Sequence, residues 1–149
     1  MKHNNKPTRS LTEAEQMTAD ILTYLDAHGF SAWGQPNRGE YDPKTGKWRP
    51  YPNARRGVAD ILGFRRSDGR FLGIEVKAGT DRPRPEQTAF LNELQAAGGL
   101  AFIAYSFAGF VQSFQRRGLN IIVTTAATLS PSPVTTTYDE PAPYTTSRP

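Results

Sequence analysis

Three charged residues stand in two short segments that are otherwise almost wholly apolar. Asp60 lies within Val58-Ala59-Asp60-Ile61-Leu62-Gly63-Phe64, and Glu75 and Lys77 lie within Gly73-Ile74-Glu75-Val76-Lys77. Both segments read as strands, and the turn Ser67-Asp68-Gly69-Arg70 joins them into an antiparallel hairpin. Alternate side chains of a strand share a face, so Glu75 and Lys77 point one way and Ile74 and Val76 the other. A charge in an apolar strand is costly unless it is paired or binds a metal. Two carboxylates, with a backbone carbonyl such as that of Val76 and with water and phosphate completing the shell, are the hard oxygen donors that Mg²⁺ prefers. A lysine beside them can position an attacking water and offset charge developing on phosphate. A plainer alternative stays open at this point: Glu75 and Lys77 exposed on an edge strand, and Asp60 capping a turn.

The elements that must position these residues follow from periodicity and turn chemistry. Leu11–Ala27 has helical spacing, with Met17, Ile21, Tyr24 and Leu25 on one side and a stop at His28-Gly29. Phe30 to Trp33 reads as a short strand, and Tyr41 to Tyr51 as a hairpin around Asp42-Pro43-Lys44-Thr45-Gly46. Val58–Phe64 and Phe71–Val76 are the strands carrying the charged set. Pro85 opens a helix to about Ala97, burying Phe90, Leu91 and Leu94, and Gly98-Gly99 ends it. Leu100–Tyr105 is a strand of the buried type, Phe107–Arg117 a helix and Leu119–Thr125 a final strand. The expected fold class is α/β, helices flanking a mixed central sheet. Residues 1–9 are polar and expected to be loose; from Ser130 the chain is rich in Pro, Thr and Ser and is expected to be a disordered tail.

Composition narrows the chemistry. The chain has 149 residues, 18 Lys and Arg against 14 Asp and Glu, a formal charge of +4 and a pI near 9.6. Residues 31–90 hold twelve basic and seven acidic residues, so the whole excess sits there at +5. Lys44, Lys47, Arg49, Arg55 and Arg56 follow one another with no acid between Pro43 and Ala59, interleaved with Tyr41, Trp48 and Tyr51. Such a block suits a polyanion, through counterion release and base stacking, although an ordinary solvated hairpin has the same composition. With no cysteine there is no disulfide framework, zinc ribbon or thiol nucleophile, and two histidines are too few for a His-rich metal site. No apolar run reaches the roughly 20 residues of a membrane span, and no signal peptide is visible at the amino terminus. The expectation is a single-domain protein of the cytoplasm, bacterial or encoded by a phage and acting in its host, with no membrane partner.

Taken together, Gly57-Val58-Ala59-Asp60-Ile61-Leu62-Gly63, Gly69 to Gly79 with Ile74-Glu75-Val76-Lys77, Pro85-Glu86-Gln87-Thr88-Ala89-Phe90-Leu91 and Ala97 to Phe102 resemble the PD-(D/E)XK nuclease superfamily, in its VRR-NUC branch related to Holliday-junction resolvases. The resemblance covers roughly residues 11–117, and Ala59 stands where Pro or Ser often precedes the aspartate. It implies a restriction-endonuclease-like αβββαβ core, here within residues 10–129, and a Mg²⁺-dependent endodeoxyribonuclease, with Mn²⁺ as a substitute. Asp60 and Glu75 would be metal carboxylates, Val76 a carbonyl ligand, Lys77 the catalytic lysine and Gln87 the glutamine of the second helix. A first-helix glutamate is also implied; Glu13 is favoured over Glu15, although Ser10-Leu11-Thr12-Glu13 and Thr12-Glu13-Ala14-Glu15 both read as capping boxes. Arg55 and Arg56 would clamp phosphates flanking the cut, with Arg38, Lys47, Trp48, Arg49, Arg82 and Arg84 as further DNA contacts. The implied substrate is branched, flap or junction DNA, cut by a homodimer. Two alternatives compete: a non-catalytic DNA-binding module that keeps the fold, and a sequence-reading restriction-type enzyme, for which the length leaves little room.

Overall fold

Strand β5 (Phe71–Val76) is buried over all but its first residue, which requires packed layers on both of its faces. The computed structural model, which describes residues 9–36, 39–49, 51–52 and 54–120, supplies them. The remaining elements are α1 (Glu13–Ala27), β1 (Phe30–Gly34), β2 (Glu40–Asp42), β3 (Lys47–Arg49), β4 (Ile61–Arg65), α2 (Pro85–Ala96), β6 (Leu100–Ala104) and α3 (Phe107–Arg116). The main sheet has the order β1-β4-β5-β6, with β6 parallel to β5 and the other neighbours antiparallel. Strands β2 and β3 form a separate two-stranded sheet around the Asp42–Gly46 turn, as the Pro and Gly there demand. This is the mixed, helix-flanked α/β core that the sequence implies.

Alternation along β5 divides the molecule into two layers. Leu72, Ile74 and Val76 face α1 and α3, where they join Ile21, Leu25, Phe30, Phe102, Phe110 and Phe114 in the larger core. Phe114 is at its centre, with ring centroids 5.4 Å from Phe30 and from Tyr24 and 5.7 Å from Phe110. Gly73 and Glu75 face α2, whose Phe90, Leu91 and Leu94 pack with Ala59, Ala101 and Leu62 in a smaller core. Gly73 is required at that point: a Cβ there would lie 2.8 Å from the Leu94 Cδ2 and 3.3 Å from the Phe90 ring, so α2 could not seat as closely.

Several element boundaries depart from the sequence reading by a residue, and three depart in ways that have a physical reason or a bearing on the site. Helix α1 starts at Glu13 rather than Leu11, because Thr12 is its N-cap and forms the second of the two possible capping boxes, with Glu15. The strand expected over Val58–Phe64 begins only at Ile61, and Asp60 occupies a bend before it. Of the expected final strand, Leu119 and Asn120 are not in a strand, and the rest lies outside the described residues, as do nearly all of the expected loose terminus and tail. Among the described residues no helix is long and apolar enough to cross a membrane.

The two-layer arrangement predicts where side-chain truncation hurts. Phe114→Ala, at a fully buried position, is expected to cost about 3–5 kcal/mol in urea denaturation, whereas Phe64→Ala, at a position 39% exposed, costs clearly less. Equal losses would contradict the assignment of the core to the α1 and α3 side.

Candidate active site

The bend at Asp60 has a specific cause and consequence. Strand β4 pairs with β5 from Ile61, opposite Ile74, so one step further Asp60 stands across from Glu75. The ladder ends there, and the Asp60 carboxylate takes over, its Oδ2 accepting from the Val76 N–H at 3.0 Å. The Asp60 carbonyl accepts from Gln35 N–H at 2.7 Å, tying the end of β1 to the same point. Asp60 therefore does not lie inside a strand; it closes the ends of three strands and aims its carboxylate at β5.

Glu75 and Lys77 are buried, at 0% and 5% exposure, and share the face towards α2. Lys77 Nζ lies 3.0 Å from Glu75 Oε1 and 3.2 Å from Asp81 Oδ2. Gln87, in the first turn of α2, donates from Nε2 to Glu75 Oε1 and accepts at Oε1 from the Arg84 N–H at 2.9 Å. Its side chain thus links the helix start to the central strand, on the inward face that the spacing to Phe90 and Leu91 indicates. Glu75 Oε2 is buried and has no hydrogen-bond partner among the described residues. A buried carboxylate oxygen left bare, beside a second carboxylate and no competing cation but Lys77, is a donor set suited to a hard cation.

Burial pushes the Glu75 carboxyl up, to about 7; the hydrogen bond from Lys77 works against this, and the negative charge of Asp60 adds to it. For Lys77, burial works to lower the ammonium pKa, but the hydrogen bonds to Glu75 and Asp81 outweigh it and the net shift is upward. Asp81 is held below its ordinary value, chiefly by the Lys77 ammonium.

The other expected residues separate into distinct places. An open cleft of about 670 Å³ adjoins Gln87 and is lined among others by Tyr51, Arg55, Arg56, Gly57 and Arg84. Arg55 is already engaged, paired with Glu93 of α2 and stacked 5.0 Å above the Phe90 ring. The guanidinium groups of Arg56 and Arg84 make no hydrogen bond or ion pair among the described residues, and Arg82 is exposed nearby in the chain but outside the cleft wall. On the separate hairpin, Lys47, Trp48 and Arg49 are exposed; Trp48 rests against Tyr41 with centroids 5.4 Å apart, and Arg49 pairs with Asp42 at 2.8 Å. Arg38 lies outside the described residues. Glu13 is exposed in the first turn of α1, Glu15 is taken up by Thr12 and Arg9, and among the described residues no third acidic or histidine side chain completes a metal-sized cluster with Asp60 and Glu75.

Two residues of the neighbourhood escaped the sequence reading. Asp81 reaches Lys77 because the chain turns at Ala78–Asp81, with the Asp81 N–H donating to the Ala78 carbonyl at 3.1 Å and Gly79 at φ +57°. The signal was the Gly79-Thr80-Asp81 turn chemistry directly after the lysine. Tyr51, noted only as part of the basic block, is in the cleft wall.

The geometry meets an independent comparison here. The VRR-NUC domain family model matches residues 15–108, most of the described chain, and the protein belongs to that family. The domain is nuclease-like, of a family that processes DNA. No curated protein matches the sequence.

Two predictions follow from this packing. Glu75 binds its proton more tightly in the folded than in the unfolded chain, so between pH about 4.5 and about 7 the native state holds more protons and stability falls as pH rises. In metal-free urea titrations, the stability of the parent relative to Glu75→Gln should decline across that window by about 1.4 kcal/mol per pKa unit of displacement. Parallel curves would contradict the site electrostatics. Gly57, at φ +75°, lies where a Cβ would collide with the Glu86 carbonyl group, whereas Gly46, at φ +65°, faces open space. Gly57→Ala should therefore cost more than Gly46→Ala, by about 1–3 kcal/mol for the added clash and strain, and equal losses would count against the loop seating on α2.

Proposed function

We propose that this chain is a divalent-metal-dependent endodeoxyribonuclease that hydrolyses phosphodiester bonds in branched, flap or junction DNA. The observation that carries the reading is the buried Glu75 with one bare oxygen, facing Asp60 and held by Lys77 and Gln87. Nothing in simple DNA binding calls for a desolvated carboxylate next to a second one, since each adds repulsion towards phosphate. Asp60, Glu75 and the Val76 carbonyl would hold Mg²⁺, for which Mn²⁺ is a substitute. When bound, such an ion supplies Lewis acidity to the phosphate and lowers the pKa of coordinated water.

The side chains divide the remaining work. Lys77, gripped between Glu75 and Asp81, presents a fixed ammonium that can hold an attacking water and offset charge developing on the phosphate oxygens. Gln87 fixes the orientation of Glu75 from the helix side. Asp60 is fixed by the Val76 N–H, so the two carboxylates keep their separation without reorganising during reaction. Water oxygen joins phosphorus, the bond to the leaving oxygen breaks, and one strand end carries phosphate while the other carries hydroxyl. The resemblance to junction resolvases favours DNA structure over sequence as the feature read. A homodimer would set two such sites against two strands.

The test is a panel of labelled linear, flap, fork and four-way DNA substrates with Mg²⁺ or Mn²⁺. The parent is expected to cut branched substrates faster than linear duplex, and Asp60→Asn and Lys77→Ala to lose about 100-fold or more in rate. Either variant cutting as fast as the parent would overturn the reading. So would a parent that holds DNA without divalent ions and never cuts it.

A further inference from the structure

The cleft beside Gln87 has features that the carboxylate site does not explain. Its volume, about 670 Å³, falls within the roughly 300–1,000 Å³ of clefts that enclose a small ligand. Its wall includes Gln87, the residue whose amide holds Glu75, so the cleft and the carboxylate site share that side chain. Of the three arginines on its wall, Arg55 is tied down by Glu93 and Phe90, but Arg56 and Arg84 carry guanidinium groups with no hydrogen bond or ion pair among the described residues. Tyr51 is also there, 56% exposed, with its backbone fixed by the Ala54 N–H donating to the Tyr51 carbonyl at 3.0 Å. An aromatic ring so exposed contributes little to the core, and it belongs to neither apolar cluster.

We propose that this cleft is a nucleotide subsite: it takes one unstacked nucleotide flanking the cut, with Tyr51 against the base and Arg56 and Arg84 on the phosphates. The inference rests on the nuclease reading for its choice of DNA as ligand and goes beyond it by naming the local form of that DNA. A base inside a duplex has both faces covered by its neighbours and presents only its edges. A tyrosine can stack on it only after it leaves the helix, or where the strand is already unpaired. The seat of the cleft also depends on Gly57, whose lack of a side chain lets the Ala54–Val58 loop lie on the first turn of α2, bringing Arg56 near Gln87. Selection for an unpaired nucleotide therefore comes from the cleft wall and not from the carboxylates.

The experiment measures binding of the full chain to a short fluorescein-labelled single strand, and to the blunt duplex of the same sequence, by anisotropy in EDTA. Tyr51→Ala is expected to weaken single-strand binding roughly 10-fold, the size of one lost stacking contact, and to leave duplex binding unchanged. Tyr51→Phe, which keeps the ring, should stay within about twofold of the parent on both probes. Arg56→Ala should weaken binding to both and flatten the salt dependence on the single strand by a slope of about 0.7. The proposal is overturned if Tyr51→Ala binds the single strand like the parent, if it loses equally on both probes, or if Tyr51→Phe is as weak as Tyr51→Ala. Because no divalent ion is present, the outcome is independent of cleavage. A parent that shows this binding pattern but never cuts in Mg²⁺ removes the nuclease reading alone, and one that cuts while its binding ignores Tyr51 removes only the subsite.

Discussion

The burial of Glu75 is the constraint around which the rest of the domain is arranged. A carboxylate in the middle of a four-stranded sheet, at 0% exposure, loses its hydration, and its carboxyl is pushed up to about 7 as a result. Two groups compensate in part: the Lys77 ammonium at 3.0 Å and the Gln87 amide. The compensation is incomplete, since Asp60 adds repulsion and Oε2 has no donor among the described residues. A buried polar atom without a partner is costly in a fold that gains nothing from it. Its cost is intelligible in a site that accepts a cation between two carboxylates.

Every nearby structural choice serves that arrangement. Strand β5 is central, so its two faces can be assigned separate duties: aliphatic residues towards α1 and α3, the charged pair towards α2. Gly73 lets α2 approach the sheet, and that approach brings Gln87 within reach of Glu75. The early end of β4 frees the Val76 N–H, and Asp60 is the side chain that satisfies it. Placement of the two carboxylates is thus coupled to backbone hydrogen bonding, and neither can move without exposing an unpaired group. The turn after Lys77 returns Asp81 to the ammonium, so the lysine is held from both sides.

Much of this was legible in the sequence. The helix-strand order, the Asp42–Gly46 hairpin and the shared face of Glu75 and Lys77 follow from period and turn chemistry, because each depends on local pattern. Gln87 was legible for the same reason, through its spacing to Phe90 and Leu91. Asp60 was read as lying inside a strand, and it does not: where a ladder stops depends on the partner strand, which local pattern does not reveal. The engagement of Arg55 by Phe90 and by Glu93, the latter 38 residues away, has no local signature. Which of the two overlapping capping boxes forms was not legible either; the structure commits Glu15 to Thr12 and leaves Glu13 exposed. The family relation covers residues 15–108, which hold Asp60, Glu75, Lys77 and Gln87 as well as the Tyr51 cleft wall.

The central claim is that the Glu75 carboxylate is held ready for a divalent cation. Calorimetric titration of Mn²⁺ into the parent protein at pH 6, repeated in buffers of different ionisation enthalpy, counts the protons released on binding. With the Glu75 carboxyl pushed up to about 7, most molecules carry the proton at that pH, and a ligating carboxylate must lose it. The account predicts binding with release of close to one proton per site, and loss of that release in Glu75→Gln. No binding heat, or the same proton count in both proteins, would contradict it.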